Sequence, residues 1–161
     1  MKKVLFSLLL ALCATAAYAQ RTPHAIGIHF GGSTEDIEYQ YHFNKQNFLD
    51  VTVGFFDFDK GFSAQGLYNY NLKTWTDWTP GFAIWKFWGG YGVGVGVYDH
   101  HDNTDLFLGP VGTLGFGLTF TDVPITLGVD YRPMVALNLG DGCRILNQGF
   151  HNIGLTLTYR F

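Results

Sequence analysis

The chain has 161 residues, 47% hydrophobic, 17% aromatic and only 14% charged, with 21 glycines, a balance that excludes disordered and collagen-like classes. Its formal charge of -3 gives no support for nucleic-acid binding. No stretch after the N-terminal segment has the roughly 18 to 20 consecutive apolar residues of a membrane helix, so entry into a membrane would require a closed barrel without free sheet edges.

Residues 1–19 carry Lys2 and Lys3, an apolar run from Val4 to Leu12, and Ala17-Tyr18-Ala19 before Gln20. This is the pattern of a secretory signal peptide with an A-x-A cleavage site, and the apolar run is too short for a membrane span. Leu12 before Cys13 argues against a lipoprotein. Cleavage would take the formal charge from -3 to -5 and leave Cys143 as a lone cysteine, so no internal disulfide is expected; no role for Cys143 is legible. Residues 20–161, about 142 in number, suit a single domain of eight strands of about ten residues each.

From His24 to Gly32, Ile26, Ile28 and Phe30 alternate with Gly27, His29 and Gly31, and Gly31-Gly32-Ser33 predicts a turn. Glu35 to Phe43 alternates Ile37, Tyr39, Tyr41 and Phe43 with Asp36, Glu38, Gln40 and His42. After a polar turn at 44–47, Phe48 to Phe58 sets Leu49, Val51, Val53 and Phe55 against Asp50, Thr52 and Gly54. Asp59-Lys60-Gly61 is a hairpin signal, and Gly61 to Leu72 resumes the alternation. This period of two is the mark of strands with one apolar and one small or polar face.

Residues 73–87, KTWTDWTPGFAIWKF, break the rhythm. They predict a connection on the same side as the N-terminus, or an extension of the next strand from Phe82. Trp75, Trp78, Trp85 and Trp88 are assigned to an interfacial belt, since tryptophan favours the headgroup level; a docking surface for lipid or a partner is the sharper alternative. Trp88 to Asp99 contains YGVGVGV, whose glycine stripe predicts close approach of something large or a sharp bend. Residues 99–105, DHHDNTD, predict a loop. Leu106 to Phe120 and Ile125 to Leu137 are further alternating strands, separated by a turn at 121–124. After a loop over 138–149, Asn152 to Phe161 puts Ile153, Leu155, Leu157, Tyr159 and Phe161 on one face. That makes eight strands, an all-β antiparallel meander closing as a transmembrane barrel. A soluble lipocalin- or streptavidin-like barrel would reverse the faces, hiding apolar residues inside.

The segments YGVGVGV, PITLGVDYRP and IGLTLTYRF resemble the small eight-stranded outer-membrane barrels of the OmpX-like class, particularly those of Bacteroidetes. The resemblance implies residence in the outer membrane of a Gram-negative bacterium and insertion by barrel-assembly machinery that recognises a final strand with Tyr159 and Phe161. It covers most of residues 20–161, the Trp-rich connection being the least typical part. The class mixes structural, adhesive and uncharacterised members, so no activity follows from it.

A structural or surface-interaction role, with outer-membrane lipid and lipopolysaccharide as surroundings and a monomeric state, is therefore the primary expectation. An enzyme acting on lipid A or phospholipid needs a nucleophile beside a base. Ser33, near His29, and Ser63 are the serines after the signal segment, and no orienting acid completes a triad. A small-molecule conduit is disfavoured because side chains fill an eight-strand lumen. Asp99, His100, His101 and Asp102, with Asp105, could ligate zinc or copper; a solvated acidic loop is the alternative. No catalytic or cofactor-binding signature is present. The inward charges are Glu38, Asp50, Asp130, Arg132 and Arg160, and depth counting pairs Glu38 and Asp130 with Arg132, and Asp50 with Arg160, in a plugged lumen.

Overall fold

The computed structural model of the protein describes residues 22–58, 60–77, 81–100, 103–140 and 144–161. The expected signal peptide, Trp78, His101, Asp102 and Cys143 lie outside the described residues. Period-two alternation folds as antiparallel strands in meander order: β1 (His24–Gly31), β2 (Thr34–His42), β3 (Asn47–Phe56), β4 (Gly61–Trp75), β5 (Ala83–His100), β6 (Asn103–Phe120) and β7 (Ile125–Tyr131). Two three-residue strands follow, β8 (Ala136–Asn138) and β9 (Arg144–Leu146), then a short 3-10 turn (Asn147–His151) and β10 (Ile153–Arg160). Each long strand pairs with its neighbours in sequence, β10 pairs with both β7 and β1, and the β5–β6 pairing closes the sheet. The result is an eight-stranded antiparallel barrel without free edges in its wall. β8 continues the line of β7 along β6, where Phe107 pairs with Asn138, and β9 folds back on β8 as a small hairpin at the rim.

Pro133 explains the break between β7 and β8. It has no N–H to give to the ladder, and the segment around it is held by Arg132 N–H to the Asn152 carbonyl, Met134 N–H to the Gly149 carbonyl and Val135 N–H to the Pro110 carbonyl. The predicted strand Ile125–Leu137 is thus two strands with an irregular hinge.

Other differences are local. The β3–β4 turn begins at Asp57, two residues before the hairpin signal, and Asp57 and Phe58 take left-handed φ values of 52° and 62°. The segment 73–87 is largely strand: Trp75 pairs with Trp85 and Lys73 with Phe87, beyond an irregularity between Asn71 and Lys73. In the predicted loop 99–105 the described residues are strand, Asp99 pairing with Thr104 and His100 with Asn103.

The wall separates two chemistries. Outward side chains are apolar and open, with Tyr91 71%, Val93 69%, Ile37 64% and Ile153 64% exposed. Inward side chains are buried and mostly polar, among them His29, Asp36, Glu38, Asp50, Thr52, Ser63, Asp130 and Arg132. At the end away from the termini the interior turns apolar: Phe56, Leu67, Tyr98, Phe107, Val111, Met134 and Ala136 form one buried cluster with Leu146 against it. The glycine stripe of β5 makes room for this plug. A Cβ on Gly96 would overlap the Phe107 ring, and one on Gly94 would lie 3.0 Å from the Met134 thioether.

Candidate functional site

The lumen midway along the barrel is organised by Arg132, which sits just past the end of β7 at the start of the Pro133 break. Its Nε donates to Asp130 Oδ2 at 2.8 Å, and its Nη2 lies 2.7 Å from the same oxygen. Nη2 also lies 3.2 Å from Asp50 Oδ2 and 3.4 Å from Glu38 Oε2. A planar guanidinium with five donors suits such a multiple carboxylate contact. Thr156 on β10 donates to Glu38 Oε2 at 2.7 Å, and Gln40 donates to Glu38 Oε1. Gln40 Oε1 in turn accepts from His42 Nε2 at 3.1 Å.

A second branch runs toward the plug. His29 Nε2 is 2.9 Å from Asp130 Oδ1 and its Nδ1 is 3.3 Å from Asp36 Oδ2. A ring flanked by carboxylates on both nitrogens is satisfied with two donors only as the imidazolium. Asn152 donates to Thr34 Oγ1 at 3.1 Å, beside the ring. The network therefore ties β1, β2, β3, β7 and β10 together through side chains.

The expected proximity of Glu38 and Asp130 to Arg132 is present, but the expected pairing of Asp50 with Arg160 is not. Asp50 reaches across to Arg132, which makes Arg132 the shared partner of three carboxylates. Counting depth along each strand ignores the tilt and stagger of a barrel, in which a hydrogen-bonded row climbs as it goes round. Asp50, Gln40, Ala25 and Arg160 do share one such row, yet the intervening strands hold the two charges apart. Arg160 instead faces the lumen mouth at the termini end with Lys86 and His42. The alternation of the second strand puts His42 on its polar face, whereas nothing in the broken rhythm of 73–87 singles out Lys86. The available signal for Lys86 is its parity, which it shares with Trp88 and the inward glycines of β5.

Of the tryptophans, Trp75 and Trp85 stand on the outer face near the termini end and meet Phe116, Trp85 stacking on it at 4.7 Å between centroids. Trp88 is a correction to the belt: it is 7% exposed and points inward. A Cβ on Gly115 would overlap its indole, and one on Gly128 would lie 2.6 Å from Cη2. Trp88 shares parity with the glycines of β5, three positions before outward Tyr91, so the strand pattern itself placed it inside.

Rings on the outer face continue around the same end: His24 stacks with Phe161, Tyr41 meets Phe43, and Tyr68 meets Phe43, Tyr70 and Tyr91. Tyr159 pairs with Ile26 and with Ile125 in the wall, and the Phe161 N–H donates to the His24 carbonyl at 3.0 Å. At the opposite end Asp99 is exposed and accepts from the Thr104 hydroxyl at 2.5 Å, while the His100 side chain, like His101 and Asp102, lies outside the description. Among the described residues no group of histidine, cysteine and carboxylate side chains is placed to hold a metal. Ser33 and Ser63 are buried, and neither hydroxyl has a hydrogen-bond partner among the described residues. No family model matches the chain, and neither the curated proteins nor the solved structures include a match to it.

Proposed function

We propose that this protein is a non-enzymatic integral outer-membrane barrel of the OmpX-like kind in a Gram-negative envelope, with a side-chain-filled lumen and a structural or surface-interaction role. The observation that carries the reading is the inverted wall: apolar side chains stand open on the outside while charged ones are buried within. In water that arrangement would expose a continuous apolar surface far larger than the patches of soluble monomers. In lipid it is the expected distribution, and the aromatic ring at one end suits a headgroup boundary. On this reading residues 1–19 are removed before Gln20, assembly machinery reads the strand bearing Tyr159 and Phe161, and the monomeric barrel sits among lipid and lipopolysaccharide.

A conduit role fits poorly with a lumen crossed by the Arg132 network and capped by Phe56, Phe107 and Met134. An active site also fits poorly, because the Glu38 oxygens and both His29 ring nitrogens are engaged inside the wall. The test is cell fractionation with gel mobility before and after boiling. The protein should partition with the outer membrane and migrate differently once heated. Recovery as a soluble periplasmic protein would contradict the proposal.

A further inference from the structure

The lumen mouth at the termini end holds an unbalanced set of charges. A small recess is lined by Lys86 from β5, Arg160 from β10 and His42 from β2, together with Thr126, Thr158 and Trp88. No carboxylate lines it. The Arg160 backbone N–H donates to the Pro124 carbonyl, but neither the Lys86 nor the Arg160 side chain makes a hydrogen bond or ion pair with a described residue. Glu38 does not serve as their counter-charge, because Arg132 and Thr156 take one of its oxygens and Gln40 the other. A second hollow on the rim shares His42 and Arg160 and adds Lys45, and it too lacks a carboxylate.

Two cations held in one partly enclosed recess repel each other, and low-dielectric walls strengthen that repulsion. A protein that keeps them there without an acidic neighbour has the donor types of an anion site around one space: an ammonium, a guanidinium and threonine hydroxyls. We propose that this mouth binds a phosphate-class oxyanion, either free or as the head of a small phosphorylated molecule. Lys86 and Arg160 supply the charge and Thr158 a neutral hydrogen bond, with Thr126 adding another when the Thr119 hydroxyl, 3.0 Å away, donates to it. The narrow recess admits the oxyanion head and leaves any organic body toward the opening. This assignment depends on the inner surface alone and stands whether or not the outer face meets lipid.

The test uses the full folded barrel in a neutral maltoside detergent free of phosphate. Inorganic phosphate and glycerol 3-phosphate are titrated separately at constant ionic strength set by sodium chloride, with amide chemical shifts and unfolding temperature as readouts. Wild type should show a saturable response at the amides of β5 and β10 near the mouth and a phosphate-dependent rise in unfolding temperature. Lys86→Arg should keep the response, and Lys86→Met should weaken the affinity by about tenfold or more, the loss of one charge-assisted hydrogen bond. Lys86→Glu, which supplies the missing counter-charge, should unfold at a higher temperature than wild type in low-salt, phosphate-free buffer and lose the phosphate response. Tighter binding of the ester would assign the site to a phosphorylated headgroup, and equal or weaker binding to free phosphate. The proposal is overturned if wild type responds no more to phosphate than to chloride, if Lys86→Met responds as wild type does, or if Lys86→Glu is less stable than wild type without phosphate.

Discussion

Arg132 is 2% exposed and faces Glu38, Asp50 and Asp130, so its removal would leave Glu38 and Asp50 without a cation in a closed interior and Asp130 with His29 alone. Breaking a buried ion pair from one side costs about 3–5 kcal/mol, because the partner's desolvation is no longer offset. Arg132→Met should therefore lower stability by about that amount in a urea unfolding series. Adding Asp50→Asn to the same chain should recover part of the loss, since one of the stranded charges is then gone. A double variant no more stable than Arg132→Met alone would show that Asp50 is not held through Arg132. At this scale the sequence was legible only in part. Parity told which charges point inward, as it did for Glu38, Asp130 and Arg132. Which charge meets which depends on strand stagger and on the reach of a long side chain across the lumen, and neither is written in spacing along one strand. Asp50 is the case in point.

Elements were legible wherever a strand has one face in each environment. β1, β2, β3 and β10 follow their alternation to within a residue or two, because the wall separates apolar from polar at every step. The pattern fails where both faces see the same surroundings. Beyond the wall, residues 99–105 are polar throughout, so the extended end of the β5–β6 hairpin resembles a loop in sequence. Residues 73–87 lose their rhythm because the irregularity after Asn71 shifts the facing of the rest of β4. The glycine stripes are legible as a demand for space, and their occupants are known only from the fold: Phe107 and Met134 against β5, Trp88 against β6 and β7. Gly115→Ala should thus overpack the lumen and cost about 1–3 kcal/mol. Gly66→Ala meets nothing within 4 Å and should change stability by less than about 0.5 kcal/mol. Equal effects of the two substitutions in thermal unfolding would mean that Trp88 is not seated where β6 and β7 hold it.

The whole molecule is a barrel turned inside out relative to a soluble ligand carrier, with an apolar plug at one end, a charged network in the middle and a cationic recess at the end bearing the termini. That inversion was legible from the sequence because it needs only the ratio of apolar to polar residues on each strand face. Tryptophan fluorescence with lipids brominated at the upper end of the acyl chain, next to the headgroup, reads the inversion directly, since the bromines quench only rings that touch the lipid. Two proteins are compared, one keeping Trp85 alone and one keeping Trp88 alone, with the other tryptophans replaced by phenylalanine and both refolded into brominated bilayers. Trp85, stacked on Phe116 on the outer face, should be strongly quenched, while Trp88, buried against Gly115 and Gly128, should keep its emission. Quenching of Trp88 as deep as that of Trp85, or an unquenched Trp85, would contradict a lipid-facing wall around a filled lumen.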